Sequence, residues 1–447
     1  MAGKARDMAV SALSKVHEKG GYSHIVLENA LKKAAELPAS EKALFSRLFY
    51  GVIERALTLD YVIAAYCRVP LKKMHPLVRE ILRTGVYQLL YMDRIPASAA
   101  VNEAVTLTRK VGQPRAAGMV NAVLRKVSAE GDSLLSALPT TIEGAEIRYS
   151  CPRELLQFWS KAYGEKTALK LAESSLEQPA AYLRVNTLKM SVEAFCQRLT
   201  EHTISYQTDE ILQNCICLET SFEAKPLAYE LKNWYYHQDR ASQLCVEALG
   251  AKAGERVADV CAAPGGKSLT VAQYMQNTGF LMACDLYDHK CRVMKERADE
   301  YGISCMETRV RDAAVPCEAE LKGSFDRVLC DVPCSGLGVI RRKPEIRYKD
   351  LSEFSTLPDL QYQILCASAE LVRPGGRLQY STCTLNPAEN QGVTERFLAE
   401  HRDFEAVTLP ITSCFEQAGI APSWQITLFP HIHRTDGFYI AAMRKKE

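Results

Sequence analysis

Cys334 and Cys383 lie in two short polar segments that contain proline, DVPCSG (331–336) and YSTCTLNP (380–387). Each segment follows a run that reads as a β-strand, 325–330 and 377–381. A lone thiol past a strand end is usually a buried, inert group. Here there are two, one flanked by Asp331 and the other by Thr382 and Thr384. That pairing points toward reactive thiols and nucleophilic chemistry. A third segment, DVCAAPGGK (259–267), closes an earlier strand. Its Gly265 and Gly266 let the backbone approach a ligand without a Cβ clash. The helix that follows offers free N–H groups to an anionic or polar group. Asp285 ends the next strand and is placed to accept the ribose hydroxyls of a nucleoside cofactor. Asp312, after the third strand, suits a second polar contact.

Two other readings compete for the glycine segment. CAAPGGKS (261–268) approaches the phosphate loop G-x-x-x-x-G-K-[ST], but Cys261 replaces the first glycine. Pro264 also removes a backbone N–H that the phosphates need. The G-x-G-x-x-G fingerprint of a dinucleotide site is absent. An adenosyl cofactor without a pyrophosphate fits better, and S-adenosylmethionine is the candidate.

These segments require a scaffold that gathers strand ends. From residue 256, strand-like runs at 257–260, 280–284, 307–310, 325–330, 377–381 and 439–442 alternate with helix-like runs at 268–275, 290–298, 360–371 and 389–398. This alternation predicts an α/β fold with a parallel, doubly wound sheet, which binds ligands outside the carboxyl ends of its strands. The first third reads instead as all-helical. Leu44, Leu48 and Ile53 with Phe45, Phe49 and Val52 form an apolar face at helical spacing. Pro70, Pro76 and Pro96 fall between helical runs, and Ser98 is expected to cap a helix opening at Ala99. Residues 131–150, with Gly131, Pro139 and Gly144, read as a connection. Residues 145–245 mix helices with strand-like runs at 181–186 and 234–238, giving a small α+β domain. Tyr235 and Tyr236 there suit either base stacking or, more commonly, core packing.

The 447 residues are 47% hydrophobic and 24% charged, the profile of a globular protein rather than a disordered one. The longest apolar run, 61–67, is far short of the roughly 18 residues that span a membrane. The N-terminus has no continuous apolar stretch of a secretory signal. The 16 cysteines include no C-x-x-C pair, so reduced cytoplasmic thiols are expected, with no disulfide framework and no metal site. Charge is uneven: residues 1–148 carry 21 Lys+Arg against 14 Asp+Glu, while the whole chain is nearly neutral at +2. A basic first third fits a module that contacts a polyanion, although a solvated helical surface gives the same excess.

CAAPGGK, DVPCSGLGVIRRKPEIRY and YSTCTLNPAENQGV resemble the motifs of the Sun/Fmu family of S-adenosylmethionine-dependent RNA cytosine-C5 methyltransferases. HQDRASQLCVEAL (237–249) and FPHIHRTDGFYIAAMRK (429–445) are similar to that family as well. RLFYGVIERALTLDYVI (47–63), LRTGVYQLLYMDRIPASAAVNEAV (82–105) and GMVNAVLRKV (118–127) resemble a NusB-like RNA-binding domain. Leu337 departs from the family, which often has a smaller or polar residue there. The resemblance implies a Rossmann-like methyltransferase domain (246–447) behind a NusB-like bundle (1–140) and a small α+β RNA-binding or linker domain (145–245). It implies Cys383 as the nucleophile that adds to cytosine C6, Cys334 as an aid to product release, and Asp331 as the contact to ring N3. The cofactor site is then Cys261, Ala262, Ala263, Pro264, Gly265, Gly266 and Lys267, with Asp285, Asp312 and the backbone near Asp331. A thiolate reaches C6 only in an unstacked base. Arg341, Arg342, Lys343 and Arg347 follow the Cys334 loop and are expected to hold the RNA backbone, unless they form a merely solvated loop. The domain combination implies a monomeric enzyme acting on 16S rRNA, naked or early in assembly. A tRNA methyltransferase would share the catalytic motifs. A non-catalytic RNA-binding adaptor would need no thiol pair.

Overall fold

The computed structural model describes residues 4–21, 23–219, 226–418 and 421–447. Two compact units form where three successive segments were expected: residues 1–177 with 340–351, and residues 178–339 with 352–447.

The first unit is helical throughout its described residues, from helix Lys4–Lys19 to helix Glu165–Ser174. Its core joins Phe45, Phe49, Val52, Ile81, Val86 and Leu124, the apolar face expected from helical spacing. Proline sets several helix starts without removing an interior hydrogen bond. Pro76 is the first residue of helix Pro76–Tyr91. Pro96 precedes helix Ala97–Lys110, so Ser98 lies inside that helix and does not cap it. The expected connection at 131–150 is also mostly helical. Helix Ala117–Ser136 runs through Gly131, and helix Ile142–Arg148 follows. The glycines there serve close approach rather than turns. A Cβ on Gly131 would lie 2.9 Å from Leu90 Cδ2, and one on Gly144 would lie 1.8 Å from the Pro139 carbonyl oxygen. Helices Arg153–Tyr163 and Glu165–Ser174 pack with Ile142–Arg148, which carries this unit past residue 140 to 177.

The second unit holds two sheets. Strands β1 (Ala181–Val185), β2 (Tyr206–Thr208), β3 (Cys215–Leu218) and β4 (Tyr235–His237) form an antiparallel sheet in the order β2-β3-β1-β4. Tyr236 is 3% exposed and packs in a core that also contains Leu244, Leu269, Leu281 and Ile440. Core packing is therefore its role, and the shared core keeps this sheet from separating as a unit of its own.

The larger sheet contains β5 (Arg256–Asp259), β6 (Phe280–Asp285), β7 (Met306–Val310), β8 (Phe325–Asp331), β9 (Val372–Thr382), β10 (Phe404–Ala406), β11 (Gln425–Leu428) and β12 (Phe438–Lys445). Its order is β10-β12-β9-β8-β5-β6-β7, with β11 paired to β12. Strands β5 to β9 are parallel. β12 runs antiparallel to β9, and β10 and β11 run antiparallel to β12, so the expected parallel sheet is mixed at one edge. β12 follows β11 after a short connection, and antiparallel neighbours need no long crossover. Alternate residues of each strand enter opposite cores. Val257, Leu281, Leu329 and Ile440 face one, while Ala258, Met282, Val328 and Ala441 face the other. Burial on both faces explains why these strands read as near-continuous apolar runs. Among the described residues, no helix is long and apolar enough to cross a membrane.

The Gly131 contact yields a stability prediction. Gly131→Leu should cost the protein about 1–3 kcal/mol, because the added atoms overpack against Leu90. Denaturant unfolding checks this, and an unchanged midpoint would mean that Leu90 moves aside freely.

Candidate active site

The order in which strands are added reverses at β5, which lies between β6 and β8. The carboxyl ends of β5 and β8 therefore border the crevice where such sheets bind ligands. Parallel pairing of β8 with β9 sets Asp331 opposite Ser381. Ser381 Oγ donates to Asp331 Oδ1 at 2.7 Å. The loops that leave this pair carry the two cysteines, and their sulfurs stand 3.2 Å apart. Lys267 Nζ reaches Asp331 Oδ2 at 2.8 Å and lies 5.2 Å from the Phe438 ring centre. Burial works against the charge on Lys267, but Asp331 and the surrounding cysteines together outweigh it and hold the ammonium well above its ordinary range. Lys267, expected in the cofactor loop, thus joins Asp331 and the two thiols in one cluster.

The Cys334 thiol is held well above its ordinary range, first by its hydrogen bond with Cys383, then by burial and by the negative charges of Cys383 and Glu389. The two thiols share this hydrogen bond, so the proton between them belongs to the pair. Burial also pushes up Cys245 and Cys330, each to about 12, and raises Cys261 well above its usual value. Burial thus disfavours the thiolate at all three neighbours.

The glycine loop is built between β5 and the helix Gly266–Tyr274. Ala262 N–H donates to the Cys284 carbonyl at 2.7 Å, and Gly265 N–H donates to the Ala262 carbonyl at 2.7 Å. Gly265 has φ +96°, a left-handed conformation that favours glycine, and it caps that helix. A Cβ on Gly265 would lie 3.2 Å from Met294 Cγ, whereas one on Gly266 would meet nothing nearer than Gln238 Nε2 at 3.7 Å. The backbone at Gly266 is thus open on its Cβ side. Pro264 donates no N–H, and its carbonyl accepts from Arg297 Nη1 at 2.9 Å. Beneath the loop, Asp259 is fully buried with Oδ2 accepting from Ser268 Oγ at 2.6 Å, and burial raises its carboxyl to about 7.

Asp285 ends β6 and is 9% exposed; its Oδ1 accepts from Tyr287 N–H at 3.1 Å and pairs with Lys290 Nζ at 3.3 Å. Leu286, Tyr287 and Val310 at these strand ends are each more than half exposed. Asp312 is exposed, and its Oδ1 accepts from Ala314 N–H at 2.9 Å. An open glycine backbone, a carboxylate at the second strand end and exposed apolar side chains around it fit an adenosyl group.

The basic segment divides. Arg342 and Lys343 are exposed, and Arg341 is half-buried. Arg347 is 2% exposed, contrary to a role on RNA phosphates. Its Nη1 donates to the carbonyls of Glu54, Tyr149 and Ser150 at 3.1–3.4 Å, and its Nη2 donates to that of Ser175 at 3.1 Å. Segment 340–351 packs as part of the helical unit, and Arg347 is its buried anchor.

Several residues escaped sequence reasoning. Leu337, which looked like a departure, is 2% exposed and simply core. Gly338 N–H donates to the Cys383 carbonyl at 3.0 Å, and Gly437 N–H donates to the Gly338 carbonyl at 2.8 Å. A Cβ on Gly338 would sit 1.9 Å from the Gly437 oxygen, so both glycines are required where these backbones cross. Ser335, Thr384, Glu389 and Asn390 form a buried polar network around the cysteine loops. All four lie in the quoted motifs, and the only signal was that so many polar residues crowd an apolar strand end.

Comparison with known proteins matches three successive regions of the chain, as the sequence suggested. Residues 246–444 match the family described as 16S rRNA methyltransferase RsmB/F. Residues 3–129 match the NusB family, and residues 151–225 match the ferredoxin-like domain of RsmF/B-like methyltransferases. The chain is 34% identical over 443 residues to the probable ribosomal RNA small subunit methyltransferase B of Bacillus subtilis, covering 99% of this chain and 98% of that protein. It is 32% identical to the protein of the same name from Synechocystis, covering 99% of each. The solved structure of PH0851 superposes with a TM-score of 0.81 at 25% identity, covering 100% of this chain and 99% of the other.

Arg347→Ala should destabilise the helical unit by about 2–4 kcal/mol, since it strands several buried carbonyls. Thermal unfolding reads this. The salt dependence of RNA binding should not change; a slope reduced by about one ion would return Arg347 to the phosphates.

Proposed function

The chain belongs to the RsmB/F family of 16S rRNA methyltransferases, and from that premise we propose that it methylates C5 of a cytosine in 16S rRNA through a covalent bond between Cys383 and ring C6. The observation that carries this reading is the cluster at the ends of β8 and β9: two sulfurs 3.2 Å apart beside the Lys267–Asp331 pair.

Cytosine C5 is a weak nucleophile. Addition of the Cys383 thiolate at C6 forms an S–C6 bond and pushes electron density toward C5. Asp331, fixed by Ser381 and Lys267, holds N3 while charge builds on the ring. S-adenosylmethionine, when bound by the 261–267 loop, Asp285 and Asp312, supplies the electrophilic methyl group. C5 takes that methyl as the sulfur–methyl bond breaks and the neutral thioether leaves, so C5 then carries both a methyl group and a proton. The proton leaves to a base, the C5=C6 bond re-forms, and the S–C6 pair returns to Cys383. Cys334 stands against that sulfur and assists its release. This geometry demands a base swung out of any stack. The exposed Arg342 and Lys343, with the half-buried Arg341, supply backbone contacts beside the cysteine loop in sequence. The basic helical unit adds a second RNA contact. The reading places the enzyme in the cytoplasm as a monomer that needs no metal.

Methyl-labelled S-adenosylmethionine and unmodified 16S rRNA test the proposal. Wild type should place label at one cytosine as 5-methylcytosine. Cys383→Ala should lose at least about 10³-fold in rate, as expected when a covalent nucleophile is removed, while cofactor affinity stays within about twofold. Label in tRNA alone would keep the chemistry and move the substrate. Label in neither, with cofactor bound, would favour an adaptor.

A further inference from the structure

Glu389 is fully buried, yet it is not one of the groups that meet substrate or cofactor in the mechanism above. Four donors converge on its carboxylate. Ser335 gives its backbone N–H to Oε2 at 2.9 Å and its hydroxyl to Oε1 at 2.5 Å. Gln361 Nε2 donates to Oε2 at 2.8 Å, and Asn386 Nδ2 donates to Oε1 at 2.9 Å. The donors come from three places. Ser335 adjoins Cys334, Asn386 lies on the loop of Cys383, and Gln361 lies on helix Leu357–Ala369.

The surrounding bonds reinforce the tie. Gln361 Nε2 also donates to the Pro333 carbonyl at 2.9 Å, and the hydroxyls of Ser335 and Thr384 meet at 2.6 Å. Tyr380 Oη donates to the Glu389 carbonyl at 2.6 Å, which fixes the backbone that carries the carboxylate. A buried carboxylate costs stability unless it is well bonded, and a partly satisfied network of this kind is worse than an apolar one. Four donors on one anion is the arrangement that a glutamine cannot reproduce. Its amide nitrogen would face donors with a donor.

Resting on the proposed cysteine chemistry, we propose that Glu389 is a positioning residue: its carboxylate clamps the Cys334 loop to the Cys383 loop and sets the distance between the two sulfurs. The same anion is among the charges that favour the protonated form of Cys334. A sulfur held 3.2 Å from the nucleophile is within reach of it at release. Displacements of about 1 Å in such groups cost about a hundredfold in rate, so the clamp matters without touching substrate.

The test uses Glu389→Gln in the full-length protein with two readouts. The first needs no RNA. Phenylarsine oxide bridges two neighbouring thiols with loss of water, and peptide mapping reads the bridge between Cys334 and Cys383. Glu389→Gln should lower that bridging at least about tenfold. The second is methyl transfer, assayed well below the lowered melting temperature that the broken network implies: kcat should fall at least about tenfold while KM for S-adenosylmethionine holds. Wild-type bridging and wild-type kcat would overturn the proposal. Wild-type bridging with a lowered kcat would overturn it too, because Glu389 would then act other than by spacing the sulfurs. If Glu389→Gln does not fold, Ser335→Ala removes one donor from the clamp and must move both readouts in the same direction by a smaller factor; wild-type values there would count against the clamp. A wild type that transfers no methyl group would defeat the cysteine chemistry, while the bridging readout would still decide the clamp.

Discussion

The parallel pairing of β8 with β9 is the constraint on which the site depends. It places Asp331 opposite Ser381 and sends two loops out of the same edge of the sheet. Everything reactive follows from that register. The serine holds one carboxylate oxygen and Lys267 the other, and the cysteines meet beyond them. A slip of one residue would turn each side chain to the opposite face of the sheet and part the sulfurs. The alternation of two cores fixes the register, because the apolar residues of the central strands divide between the two faces.

Fixing the strands does not by itself fix the loops. They are held by close backbone crossings and by buried polar groups. Gly338 and Gly437 allow three chain segments to exchange hydrogen bonds where no Cβ fits. Glu389 ties the two cysteine loops from beneath, and Thr382, Thr384 and Asn390 extend the network. The two thiols meet inside that frame. The Cys383 contact, burial and nearby negative charge all push the Cys334 thiol upward. The proposed reaction asks one of these sulfurs to attack and the other to assist.

Much of this was legible in the sequence, and the failures have physical causes. The strands β5, β6 and β8 were visible because burial on both faces makes their apolar runs dense. β10 and β11 were not read, being short runs of three and four residues that mix polar with apolar residues. Gly131 and Gly144 read as loop signals, but each is a contact point inside or beside a helix. Asp331, Cys334 and Cys383 announced themselves by type and position. Lys267 was assigned to the cofactor loop, and only its side-chain direction shows that it serves Asp331. Arg347 was the clearest error. A cationic side chain in a basic run looks like a phosphate contact, yet four buried carbonyls can hold it as well as a phosphate can. Charge counting registers the cation and not its partners.

The most direct measurement for the account is the mass of the covalent complex formed by Cys334→Ala with 16S rRNA and S-adenosylmethionine. The account predicts a stable protein–RNA adduct, with the modified nucleotide attached to Cys383 in peptide mapping and the base already methylated. An adduct on any other residue, or full turnover with no adduct, would contradict the division of labour between the two sulfurs.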